Sequence, residues 1–249
     1  MIGDKELAQV RRLYYGILVQ LLWKEPDPEV ISGLKTDIRA RAEGAAHLHP
    51  KLGEGWNVIA DYLDNHQPEE VAEEFTTVFL GPFAAEVVAY ESQYLAGTLF
   101  MEPLADVRAF METIGLERSE EEYAEPEDVL AFELSVMDWL IGRQMDAENA
   151  EEEERWVHHQ AVFLKKHLLV WGGQCAADMQ AAQSGNFYWG VGLLLQGLLE
   201  LEENWFQGVG PEKVESLEDA RRRYGKRKFF KGPVYDGEGG KPPISKNKN

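Results

Sequence analysis

The sequence predicts an all-α fold: a single globule of about ten helices in two helical subdomains joined by a hinge loop. Three observations carry this. Apolar residues recur at steps of three and four along most of the chain, the spacing of one face of a helix. No stretch of strand length alternates apolar with polar residues. Pro and Gly punctuate the periodic runs where helices start and stop. A chain of 249 residues with 44% apolar and 28% charged residues has the composition of an ordinary globular domain with its own core.

The elements follow in order. Leu7, Val10, Tyr14, Ile17, Leu18 and Leu21 mark the inward face of a first helix, which Pro26 and Pro28 stop. Arg11-Arg12 before Leu13-Tyr14-Tyr15-Gly16 superficially resembles a twin-arginine export signal. The apolar run is broken by Gln20, closed by Lys24-Glu25 and lacks a small-residue cleavage site, so it reads as a core helix. Helical runs over 28–43, 50–65 and 68–80 come next. The last opens on Pro68-Glu69-Glu70, a permitted proline with acids where the helix dipole favours them, and breaks at Gly81-Pro82. Helices near 92–99 and 103–115 precede an acid-rich loop over 117–127 containing Pro126. Beyond it lie helices over 128–147 and 150–171, a break at Gly172-Gly173, and helices over 174–183 and 186–206 separated by Ser184-Gly185. A short helix from Pro211 to Tyr224 is expected. The divisions are thus 1–116, the hinge 117–128, 129–206, and a basic extension 207–249. Residues 225–249, rich in Gly, Pro and Lys/Arg without periodicity, are expected to be mobile or ordered only on binding.

Charge and cysteine content narrow the function classes. The net charge is −19, which disfavours a nucleic-acid groove on the main body. It is unevenly spread. From Gln207 to Asn249, 11 Lys/Arg stand against 6 Asp/Glu, a net of +5, which leaves −24 on residues 1–206. A single cysteine, Cys175, excludes an intrachain disulfide and suits a reducing compartment, so a cytoplasmic location is expected. No run reaches the roughly 20 apolar residues of a membrane span.

Catalytic and metal chemistry find little support. His47-x-His49 and His158-His159 lack the i, i+4 spacing of a helical metal site and have no cysteine nearby. Glu151–Glu154 complements a helix N-terminus. No Gly-rich loop ends in Lys before a helix, and Gly190, Gly192 and Gly197 sit where helices pack closely. Cys175 has no evident histidine partner. No metal or cofactor is expected, and a binding protein is favoured over an enzyme.

Two segments beside chain breaks stand out. The first is Phe75 to Pro82 with Tyr90-Glu91-Ser92-Gln93-Tyr94. The second is Glu125 to Met137, in which Asp128 is placed to cap a helix carrying Val129, Phe132, Val136 and Leu140 on one stripe. Together they form an acidic, aromatic-rich junction between helical halves, a common location for a binding groove.

These segments resemble the TorD/DmsD/NarJ family of cytoplasmic chaperones for molybdenum-dependent oxidoreductases. The resemblance rests on Val78-Phe79-Leu80-Gly81-Pro82, on Tyr90-Glu91-Ser92-Gln93-Tyr94, and on Asp128-Val129-Leu130 leading to Glu133-Leu134 and Met137. Phe163-Leu164, His167-Leu168, Trp171, Phe187-Tyr188 and Leu198-Leu199-Glu200 continue it, and it covers about residues 5–206. Val129 stands where the family has His, and Val136 where it has Phe. Losing that imidazole removes a titratable donor and acceptor from the junction.

The resemblance implies a system-specific chaperone, not an enzyme. It would bind the leader peptide and apo catalytic subunit of a molybdopterin-dependent oxidoreductase and aid cofactor insertion before export or complex formation. Candidate peptide- or client-binding residues are Phe79, Gly81, Pro82, Tyr90, Glu91, Ser92, Tyr94, Asp128 and Glu133. Asp128, Glu91 and Glu133 are the expected partners of leader arginines, whereas Phe79, Tyr90 and Trp139 are expected mainly to pack. Either a monomer or a domain-swapped dimer fits two hinged halves. From the residues alone, a helical small-ligand or nucleotide-binding domain, or an enzyme with its site at the junction, stays open. So does a subunit retained in a mature complex.

Overall fold

The structure is a computed structural model that describes residues 5–81, 84–119 and 125–225. Twelve α-helices run through these residues: α1 (Lys5–Leu22), α2 (Pro28–Lys35), α3 (Ile38–Leu48), α4 (Pro50–Asn65), α5 (Pro68–Phe75), α6 (Glu91–Ala96), α7 (Glu102–Ile114), α8 (Leu130–Met145), α9 (Ala150–Lys166), α10 (Leu168–Ala181), α11 (Phe187–Trp205) and α12 (Leu217–Gly225). A π-helical turn, Thr76–Leu80, extends α5. The only β pairing among the described residues is an isolated antiparallel bridge between Tyr90 and Val129. The all-α class therefore holds. The segment 225–249, apart from Gly225 at the end of α12, lies outside the described residues, as do Pro82 and residues 120–124 of the hinge.

Helix starts follow the chemistry of their sequences. Pro occupies the first turn of α2, α4 and α5, where its missing N–H is not needed. Asp27 Oδ1 accepts the Glu29 N–H at 2.8 Å to cap α2, and Asn149 Oδ1 accepts the Glu152 N–H at 2.9 Å to cap α9. In α9, acids occupy the first turn and Lys165 and Lys166 the last, matching the helix dipole at both ends.

Three boundaries differ from the sequence-based expectation. The run 28–43 is two helices, because Asp37 adopts a left-handed backbone (φ 56°) that reorients the chain between α2 and α3. The break expected at Gly172-Gly173 falls instead at His167, whose backbone (φ −120°, ψ −91°) separates α9 from α10. Both glycines are helical: a Cβ on Gly172 would lie 2.9 Å from Leu199 Cδ1, so this glycine serves the α10–α11 contact. The helix expected from Pro211 begins later, at Leu217.

Helix α11 is the central element, packed against α4 on one side and α10 on another. Gly190 permits the first contact, since a Cβ there would sit 2.7 Å from Ile59 Cγ1 and 2.9 Å from the Gly55 carbonyl oxygen. Helix α1 packs on α8, and α8 on α9. Helices from both sides of the acidic loop thus share one continuous hydrophobic core. Arg11 and Arg12 help build it. Arg11 is fully buried and donates from Nε and Nη2 to Glu202 of α11 at 2.6 and 2.8 Å, with its guanidinium 5.0 Å from the centre of the Phe206 ring. Arg12 turns outward and forks onto Asp138 of α8 at 3.1 and 3.2 Å. The twin arginines are struts between helices.

Candidate functional site

The junction begins with the π-helical turn. Thr76–Leu80 ends at Gly81, whose backbone (φ 58°, ψ 143°) lies in a region costly for other residues. Ala84 leaves no room either, because a Cβ on Gly81 would lie 2.1 Å from its carbonyl oxygen. This turn directs Phe79 onto an aromatic cluster, 5.1 Å from Phe75 and 5.0 Å edge-on from Tyr188 between ring centroids. Leu80 points out and is 58% exposed. The chain then returns as an extended segment: Val87 N–H donates to the Val78 carbonyl at 2.9 Å, and Leu130 N–H to the Ala89 carbonyl at 2.9 Å.

These elements enclose an apolar groove of about 270 Å³. Phe75, Phe79 and Leu80 form one wall, Val87, Ala89 and Tyr90 another, and Leu22 and Trp23 of the first helix's end a third, with Val129 to Ala131 closing it. Val129, the residue in place of histidine, thus contributes a methyl surface rather than a hydrogen-bonding group. Two exposed carboxylates, Glu25 and Glu125, stand on the rim beside Lys24. Tyr90 OH donates to Glu125 Oε2 at 2.7 Å, and Thr76 Oγ1 to Glu25 Oε1 at 2.8 Å, so both carboxylates are oriented at the mouth while remaining open to solvent.

Beneath the groove lies a layer of buried charge. Glu91 and Asp128 are each 1% exposed and Glu133 is 0% exposed. Asp128 does not cap its own helix, α8, whose N-cap is Val129 with no side-chain cap bond. Instead its Oδ2 accepts the backbone N–H of Ser92 at 3.0 Å and the Ser92 hydroxyl, capping the short helix α6 across the junction. Its backbone carbonyl also accepts the Glu91 N–H at 2.8 Å. His167 Nδ1 lies 3.0 Å from Glu91 Oε2, where the ring N–H donates to the carboxylate. Trp171 Nε1 donates to Glu133 Oε2 at 3.1 Å. Burial, reinforced by Glu91 and Asp128, raises the Glu133 carboxyl well above the usual carboxylate range against the opposing Trp171 bond, which favours its neutral form. Tyr94 packs on Trp171, ring centroids 5.2 Å apart, and donates its hydroxyl to Asp178 Oδ2 at 2.7 Å.

The sequence-predicted residues therefore separate into two layers. Phe79, Gly81 and Tyr90 belong to the groove and its turn, and Phe79 and Tyr90 both pack and present surface to it. Glu91, Ser92, Tyr94, Asp128 and Glu133 are buried and bonded within the layer beneath. Pro82 lies outside the described residues. Glu25, Glu125, Leu80 and Trp23 were not singled out as binding residues. Glu25 reads in the sequence only as part of a helix stop, and Glu125 as one acid among six in a loop.

A second concavity, of about 690 Å³, lies between α7, α9 and α12 and is rich in Lys and His. Several of its basic side chains are engaged within the chain. Lys165 Nζ donates to the carbonyls of Val209 and Pro211 at 2.7 and 2.9 Å, Arg223 pairs with Glu215 at 2.7 Å, and His167 with Glu91. Among the described residues, no three His, Cys, Asp or Glu are grouped to hold a metal ion. Cys175 is buried, which pushes its thiol up to about 12 and makes it a poor nucleophile. No helix among these residues is long and apolar enough to cross a membrane.

Comparison with known proteins bears on this site. Residues 45–177, which include the π-helical turn and both junction segments, match the family described as nitrate reductase delta subunit. Similar curated proteins carry the name chaperone protein TorD. That of Aeromonas salmonicida is 29% identical over 165 residues, 66% of this chain and 74% of its own length. That of Aliivibrio fischeri is 26% identical over 166 residues, 64% and 77% of the two chains. That of Vibrio atlanticus is 27% identical over 216 residues, 84% of this chain and all of its own.

Proposed function

Given that the chain belongs to the nitrate reductase delta subunit family, the TorD family of molybdoenzyme-maturation chaperones, we propose that it binds the leader peptide of a molybdopterin oxidoreductase's apo catalytic subunit in the groove between the π-helical turn and Tyr90. Holding that client would delay export or complex formation until its cofactor is inserted. No covalent step is involved. The observation that carries the reading is the composition of the groove: aromatic and aliphatic walls with two oriented, exposed carboxylates at the mouth. An apolar leader segment fills the walls, and flanking arginines meet Glu25 and Glu125 in charge-assisted pairs.

This assigns the family-motif carboxyls a different part from the one their chemistry alone suggests. Asp128, Glu91 and Glu133 are positioning residues. They fix α6 and the Tyr90–Val129 bridge, and through them the wall that Tyr90 forms. The acidic body steers a cationic leader toward the groove, while the rim carboxylates and walls select it.

The test is a titration with a dye-labelled synthetic twin-arginine leader peptide. The double variant Glu25→Lys/Glu125→Lys should weaken binding about tenfold or more, equivalent to roughly 1.4 kcal/mol, with its melting temperature unchanged. The parent's affinity should fall as salt rises, because the rim is exposed and screened. Equal affinity in parent and variant would remove the rim from the recognition mechanism. Size-exclusion of the finished oxidoreductase then separates a chaperone, which leaves, from a subunit that stays.

A further inference from the structure

We propose that the chain carries its own occupant for this groove: residues 226–235, led by Lys226-Arg227-Lys228-Phe229-Phe230-Lys231, act as an internal competitor of the client peptide. This rests on the reading of the groove as a peptide site and adds its regulation.

The chemistry of the segment matches the groove. Three successive cations precede two aromatic residues and a further lysine. The groove offers the complement, two exposed carboxylates beside walls made by Phe79, Leu80 and Tyr90. Charge is divided in the same sense. Residues 226–249 hold seven Lys/Arg and two Asp/Glu, a net of +5, so −24 lies on the remainder. Opposite charges on one chain raise the population of its intramolecular contacts.

The described structure also places α12, which immediately precedes the segment, beside the junction. Helix α12 packs against α6. Arg221 Nε donates to the Tyr94 carbonyl at 2.8 Å, and Tyr224 OH donates to Asp106 Oδ2 at 2.6 Å. Tyr94 lies one helical turn, about 6 Å along the axis, from Tyr90 in the groove wall. The five residues from Lys226 to Phe230 reach up to about 17 Å when extended. A competitor tethered this closely acts at an effective concentration in the millimolar range, so even a weak fit lowers the apparent affinity of a client by about an order of magnitude.

Two measurements on the full chain decide it. In the first, Arg227→Glu/Phe229→Ser/Phe230→Ser should bind a dye-labelled synthetic twin-arginine leader peptide about tenfold more tightly than the parent. Equal or weaker binding overturns the proposal. In the second, a photo-crosslinking phenylalanine analogue replaces Phe230 and no leader is added. Crosslinks should map to Phe79, Leu80 or Tyr90 of the same chain and be lost in Glu25→Lys/Glu125→Lys. Crosslinks to other surfaces, or between two copies, overturn it. If the leader binds neither parent nor variant, the leader reading of the groove fails, and the crosslink map still decides whether the segment occupies it.

Discussion

Glu133 is a fully buried carboxyl. Buried beside Glu91 and Asp128, its carboxyl is held neutral in the folded chain at pH values where the unfolded chain would ionise it. A raised folded-state pKa contributes stability in full below the unfolded value, about 4.3, and that contribution is lost as pH rises toward the folded value. Glu133→Gln keeps an acceptor for Trp171 and removes the titration. The urea midpoint of the variant relative to the parent should therefore rise steadily from pH 4.5 to pH 8; a difference independent of pH would refute the buried neutral carboxyl. Asp128 behaves otherwise. Its carboxylate satisfies Ser92 and holds α6, so Asp128→Ala should cost about 1–3 kcal/mol of stability through the lost cap and unpaired buried donors. A loss of leader binding without any loss of stability would instead make Asp128 a direct contact. Arg11 and Glu202 form a buried ion pair with no solvent access. Removing one partner, as in Glu202→Ala, should destabilise by about 3–5 kcal/mol because a guanidinium is left buried and unpaired. Joint replacement by Met and Leu should cost much less, which chemical denaturation can measure.

At the scale of elements, the site depends on three irregular pieces rather than on the long helices. The π-helical turn at Thr76–Leu80 rotates Phe79 toward Tyr188 and frees Leu80 for the groove. The single Tyr90–Val129 bridge joins two chain segments across the acidic loop. Helix α6 is only six residues long and relies on Asp128 for its N-terminal cap. The long helices set the frame through close approach at glycine. At Gly190 a methyl group would press on both the Ile59 side chain and the Gly55 carbonyl. Gly190→Ala is thus expected to destabilise by about 1–3 kcal/mol despite alanine's higher helix propensity, with the loss visible in the thermal midpoint. Much of this level was legible in advance. The periodic spacing of Tyr14, Ile17, Leu18 and Leu21 and the prolines at 50 and 68 place their helices correctly. The misread boundaries share a cause. Gly172-Gly173 looks like a stop only when Leu199, 27 positions away, is unseen, and nothing local to His167 announces that the helix ends there.

For the whole molecule, a net charge of −19 conceals a strongly acidic body and a basic extension, and two of the body's acids share one groove mouth. Glu25 and Glu125 are two of the 44 acids, distinguished by standing at one mouth, oriented by Thr76 and Tyr90. The halves on either side of 117–128 share a core through α1 on α8 and α4 on α11.

Local sequence determined the helical class, most element positions and the family, because helix periodicity, caps and short motifs are encoded within a few residues of one another. It also drew attention to the segments that meet at one junction, Phe79 to Pro82, Tyr90 to Tyr94 and Asp128 to Glu133. Tertiary structure decided which of those residues are buried and which line the groove. Burial turned Glu91, Asp128 and Glu133 into the support of a wall, whereas Glu25 at the end of one helix and Glu125 in a loop became its exposed rim. Exposure depends on what packs against a side chain from distant parts of the sequence. A carboxylate therefore looks the same in the sequence whether it ends beneath Trp171 or beside open water.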